Sequence, residues 1–154
     1  MTEIRIAPLG HEHLPAFIAG LEERYAEQKS SMGSIVLESA REQARAETRA
    51  QFPGGTLAEG HVILQATAGE SLGHFWLGPH RDERGLAFIV DILITEAARG
   101  QGLGRRLLVA AEDWARDGGF TAMSLHVFGA NTNAISMYES QGYETTDLLM
   151  RRVL

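Results

Sequence analysis

An apolar run breaks abruptly into a glycine-rich turn at residues 88–108, FIVDILITEAARGQGLGRRLL, and this limits the folds open to the chain. Phe88 to Ile94 is too short and too rich in isoleucine and valine to favour a helix, and it reads as a strand buried on both faces. Thr95-Glu96-Ala97-Ala98 stops it. Arg99-Gly100-Gln101-Gly102-Leu103-Gly104 comes next, and a helical pattern begins at once. The first turn of a helix leaves its N–H groups without intrahelical acceptors, and the macrodipole adds about half a positive charge there. Glycines at 100, 102 and 104 remove side chains that would hold an anion off those donors. Arg99, Arg105 and Arg106 bring fixed positive charge to the same end. The expectation is a helix N-terminus that grips a phosphate or pyrophosphate; a glycine-rich turn with no ligand is the alternative.

Two phosphate motifs can be tested against the turn. A P-loop needs Gly-x-x-x-x-Gly-Lys-Ser/Thr, and no lysine follows these glycines. The dinucleotide fingerprint needs Gly-x-Gly-x-x-Gly. Counting from Gly100 puts Arg105 at the third glycine, and counting from Gly102 puts Leu107 there. What remains is Arg-x-x-Gly-x-Gly at Arg99, Gly102 and Gly104.

With 154 residues, one domain spanning 1–154 is the expectation. Hydrophobic residues make up 44% and charged residues 22%, enough for a real core. The net charge of −6 argues against nucleic acid as the main partner and permits a cationic acceptor. The chain has no cysteine, which excludes disulfides, thiolate catalysis and cysteine-based zinc sites. The N-terminus lacks a signal-peptide layout and no apolar run approaches a membrane span, so a cytoplasmic protein with no membrane partner is expected.

The rest of the chain alternates strand and helix signals. Glu3 to Ala7 reads as a strand ending at Pro8. Leu14, Phe17, Ile18, Leu21 and Tyr25 form one apolar helical stripe, with Pro15 suited to its first turn. Ser34 is expected to cap a second helix running to about Gln51. Its apolar face is thin (Leu37, Ala40, Ala44), and its charges read as a solvated face at the edge of the core or, alternatively, as the wall of a cleft. His61–Thr67 and Leu72–Leu77 form a hairpin about a turn at Ala68–Ser71. After the glycine turn, Leu103, Leu107, Ala111 and Trp114 mark a helix that ends at Asp117-Gly118-Gly119. Thr121–Phe128 is a strand, Asn131 leads into a short helix, and Tyr143–Leu154 holds one or two closing strands. Antiparallel hairpins beside parallel crossovers give an α+β class with a mixed sheet.

Two separated motifs now agree. Arg99-x-x-Gly102-x-Gly104 opens the long helix. Asn131-Thr-Asn-Ala134-Ile135-Ser-Met-Tyr138-Glu139-Ser-Gln-Gly142-Tyr143 resembles the N-x-x-A-x-x-x-Y-x-x-x-G-F/Y segment of the GNAT superfamily of acetyl-CoA-dependent N-acetyltransferases. The likeness is strong from about residue 72 onward and weaker over the first 60 residues. It implies a mostly antiparallel sheet of six or seven strands, flanked by about four helices, with splayed central strands. It further implies acetyl-CoA as co-substrate and a small-molecule or peptide amine as acceptor; homodimers are common in the family. The diphosphate of coenzyme A would rest on backbone donors of Gly100, Gln101, Gly102, Leu103, Gly104 and Arg105, beside Arg99. The pantetheine arm would pair with the backbone of Ile92, Leu93 and Ile94, a form of strand addition.

Asn131 is then either a helix cap, a cofactor ligand, or both. Tyr138 is either a packed ring or the acid that protonates the departing thiolate, and the resemblance implies the latter. An alkylamine has a pKa of about 10.4, so a base, or a water relay to one, must free its lone pair near neutral pH. Asp91 is the first candidate for that base, because it interrupts an apolar strand; a structural aspartate paired with backbone or an arginine is the alternative. His126 is the second, against the bland reading of a satisfied core histidine. His74 and Trp76 stand to line an acceptor cleft, Trp76 more as core, with Tyr25 and the second helix covering it. His11-Glu12-His13 lacks a third metal ligand at useful spacing, so no metal is expected. A non-catalytic acyl-CoA-binding module is the competing function, and a nucleotide-phosphate binder of another fold is the third.

Overall fold

The computed structural model describes residues 3–32 and 36–154. Two compact units partition the chain, Met1–Ser124 and Leu125–Leu154. The order of elements is β1 (Arg5–Pro8), α1 (Leu14–Met32), α2 (Leu37–Gln51), β2 (Val62–Thr67), β3 (Ser71–Pro79), β4 (Leu86–Ile94), α3 (Leu103–Asp117), β5 (Ala122–Leu125) and α4 (Thr132–Ser140). Among the described residues this is the expected α+β class with four α-helices, but the sheet has five strands in the order β1-β2-β3-β4-β5, not six or seven. The expected closing strands do not form at 143–154, and residues 144–154 are exposed. The expected cap Ser34 lies outside the described residues.

The first three strand pairs are antiparallel, and the β2–β3 hairpin forms about Gly69 as expected. Between β3 and β4 the register slips. Trp76 faces Asp91 and Leu77 faces Ile89, which leaves Val90 as a bulge. A bulge adds one residue to one strand and re-aims the side chains beyond it. Here Asp91 and Leu93 come onto the same face as His74 and Trp76, the face covered by α1. Ile92, Leu93 and Ile94 are only half-buried, so the end of β4 is not enclosed on both sides as its composition implied.

The apolar stripe of α1 packs on that face. Leu14, Leu21, Phe52, Ile63 and Trp76 form a buried cluster, with Phe52 stacked on Trp76 at 4.7 Å. Each such side chain contributes about 1.5–3 kcal/mol through burial. Trp76 is thus core, its indole N–H donating to His61 Nδ1 at 3.0 Å.

The thin face of α2 packs Ala40 and Ala44 against Ala26 of α1, all fully buried. Its charges do more than solvate a face: Arg41 reaches Glu23 and Lys29 reaches Glu47, tying α2 to α1.

Candidate active site

The glycine turn is built as its spacing demands. Gly100 and Gly102 both adopt left-handed backbone, φ +72° and +74°. A side chain at either would meet no atom within 4 Å, so backbone conformation, not crowding, requires glycine. Gly102 is the N-cap of α3 and brings no side chain to cap it. The first-turn N–H groups therefore face outward with no intrahelical acceptor, at the positive end of a 15-residue helix. Two side chains brace the turn from below. Arg99 donates Nε to the Ile94 carbonyl at 3.3 Å, and Gln101 donates to the Ala97 carbonyl at 2.8 Å. Leu103 is buried and anchors the helix start, while Arg105 and Arg106 are exposed. Open space above left-handed glycines, uncapped amides and flanking arginines together fit a diphosphate.

Asp91 is 8% exposed and serves three donors. Arg24 donates Nη2 to Oδ2 at 2.5 Å, His74 Nε2 lies 2.6 Å from the same oxygen, and the Tyr25 hydroxyl donates to Oδ1 at 3.1 Å. Burial pushes the carboxyl's pKa up, but hydrogen bonds from His74 and Arg24, with the Arg24 charge, more than offset it. The net result lies below the ordinary aspartate value. Burial, then the Asp91 charge, pushes the Tyr25 phenol far up, so it stays a donor. The geometry makes Asp91 an anionic hub more than a base in waiting. Its partner His74 is also buried, and the Phe17 ring meets it edge-on at 4.7 Å. The hub borders a cavity of about 550 Å³ between α1 and the β2–β3 hairpin, which His74 and Arg24 line.

The remaining candidates belong to the second unit. Asn131 caps α4, its Oδ1 accepting from the Ala134 N–H at 3.2 Å. Tyr138 is buried on α4, with its ring 5.7 Å from that of Tyr143. Burial pushes its phenol up to about 12. His126 is not a core residue: β5 ends at Leu125, three residues short of the expected limit, and His126 is exposed with its ring tilted against Phe128.

Sequence reasoning passed over Arg24. It sits one helical turn beyond Leu21 on the buried stripe of α1, and a charge at that spacing on an apolar face was the available signal. Among the described residues, no group of three or more histidines or carboxylates converges as metal ligands. No helix there is long and apolar enough to cross a membrane.

Known proteins resemble this chain in sequence and fold. The uncharacterized N-acetyltransferase YycN of Bacillus subtilis is 28% identical over 154 residues, covering 98% of this chain and 99% of its own. Its solved structure superposes with a TM-score of 0.83 over 99% of each chain. The uncharacterized N-acetyltransferase YdgE of the same organism is 30% identical over 147 residues, 93% of either chain. A solved structure from Pyrococcus furiosus, assigned as an acetyl transferase, is 29% identical with a TM-score of 0.77, covering 99% of this chain and 100% of that one. The family model described as the acetyltransferase (GNAT) family matches residues 38–143. The chain therefore belongs to the GNAT family and is an acetyltransferase.

Proposed function

We propose that this protein moves an acetyl group from acetyl-CoA to a primary amine, by direct attack of the amine on the thioester. The observation that carries this reading is the uncapped N-terminus of α3, opened by two left-handed glycines and flanked by Arg99, Arg105 and Arg106. The backbone of residues 100–105 holds the diphosphate, and the half-buried end of β4 at Ile92–Ile94 pairs with the pantetheine amides. Acetyl-CoA supplies the activated acyl group. Asn131 caps α4 and thereby fixes the helix that carries Tyr138. Tyr138 is the general acid of this reading; burial keeps its phenol protonated throughout the neutral range. The family match runs across both compact units, which supports a single acetyltransferase domain.

Thiol release from acetyl-CoA, measured across a panel of small-molecule and peptide amines, tests the reading. Turnover with at least one amine is expected. Tight acetyl-CoA binding with no thiol release for any amine would instead identify an acyl-CoA-binding module.

A further inference from the structure

We infer that the cavity between α1 and the β2–β3 hairpin holds the amine acceptor, that it selects a single amine carried on an apolar body, and that His74 takes the proton this amine must lose before attack. The inference rests on the acetyl-transfer reading above and adds to it the acceptor class and the base.

The cavity, about 550 Å³, has the size of a small-molecule site. Its wall contains Gly20, in the interior of α1, where glycine costs a helix about 1 kcal/mol relative to alanine. No close neighbour explains that cost, because a Cβ at Gly20 would meet nothing within 4 Å. What the missing side chain does is leave the wall open. Much of the lining is apolar, with Leu9, Phe17, Leu21 and Leu93 among it. Glu70, at the hairpin turn, is the sole carboxylate among the described residues of that lining. Two basic groups there are engaged elsewhere, Arg24 with Asp91 and His13 with Glu12. A polycation would need several carboxylates, whereas one ammonium on an apolar stem matches one carboxylate and a greasy wall.

His74 is prepared to act as a base. An ionised Asp91 accepts from Nε2, so in the neutral imidazole the proton sits on Nε2 and the lone pair on Nδ1. Nδ1 makes no hydrogen bond among the described residues. The charged and titratable groups facing this ring from neighbouring elements are Asp91 on β4, and Arg24 and Tyr25 on α1. His13 and Glu70 border the same cavity. Leu93, directly opposite His74 in the ladder, belongs to the strand proposed to pair with the cofactor arm, so acceptor and thioester share β4. The ammonium gives one proton to Nδ1, which passes it to solvent. The nitrogen lone pair then forms the C–N bond, and the C–S bond breaks. The thiolate takes a proton from Tyr138, and the second proton leaves the acylated nitrogen to restore the phenol. One proton is released per turnover.

The test follows thiol release with 2-phenylethylamine and with a polycationic aminoglycoside. The arylalkylamine is expected to show the higher kcat/KM. Gly20→Leu replaces a helix glycine with a better helix former and fills the cavity. It should raise KM for 2-phenylethylamine about tenfold while leaving the acetyl-CoA dissociation constant unchanged. His74→Gln should lower kcat about 100-fold, within the range of general-base catalysis. The β,β-difluoro analogue of the same amine is far less basic and needs little help to lose its proton, so it should lose much less. A histidine that merely packs would slow both amines equally. Equal losses, an unchanged KM in Gly20→Leu, or preference for the aminoglycoside would overturn the inference. Bound acetyl-CoA with no thiol release from any amine would bring down the acetyl-transfer reading, and this one with it.

Discussion

At the scale of residues, Asp91 joins two elements through one carboxylate: His74 from β3, and Arg24 and Tyr25 from α1. Its folded pKa lies below the ordinary value. Such a group adds stability above the unfolded aspartate pKa of about 3.9 and loses it as pH falls through the lower folded value. Acid unfolding should therefore steepen below about pH 4. Asp91→Asn should remove that dependence and cost about 2–3 kcal/mol in urea denaturation. This is less than a fully buried pair would lose, because the Arg24 side chain keeps 30% exposure. A loss under about 0.5 kcal/mol would show that the hub is not holding α1 to the sheet. Tyr138 calls for a different measurement. Tyr138→Phe should lower turnover about 100-fold or more with unchanged acetyl-CoA affinity, and equal turnover would remove it as the acid. Asp91 was visible in the sequence as the charge inside an apolar strand. Its partner was not, because Arg24 lies 67 residues away and only the register of α1 against the sheet brings the two together.

At the scale of elements, local signals were legible and non-local pairing was not. The start of α3 at Leu103 was readable because a glycine turn, the loss of β-branching and a helical stripe all fall within a few residues. Its chemistry can be tested there. Gly102→Val forces a β-branched residue to φ +74°, which costs about 1–2 kcal/mol and turns the first amides of α3. Acetyl-CoA affinity should fall about tenfold, or about 1.4 kcal/mol, by calorimetry. An unchanged dissociation constant would count against the phosphate assignment. The closing strands failed for the opposite reason. Leu148, Leu149, Met150 and Val153 look strand-like in sequence, but a strand exists only where a neighbour offers a ladder, and here they are exposed. The Val90 bulge was equally invisible, since a register slip belongs to two strands at once.

At the scale of the molecule, an anion must approach a chain of net charge −6. The overall field opposes coenzyme A, so on the proposed reading its capture depends on local groups at the α3 terminus. A ligand that binds only the folded state at about 100 times its dissociation constant adds about 2.7 kcal/mol, or about 5–11 °C in Tm for a protein of this size. Acetyl-CoA should produce such a shift in a thermal melt. ATP should produce much less, because the turn lacks the P-loop lysine and ATP carries no pantetheine amides to pair with β4. Salt then separates the two sources of grip. At about 1 M the Debye length falls to about 3 Å, which screens the exposed Arg105 and Arg106 but would hardly touch the proposed direct contact of α3 amides with the diphosphate. Part of the shift should therefore survive high salt. Its complete loss would mean that side-chain charge, and not the open helix end, holds the ligand.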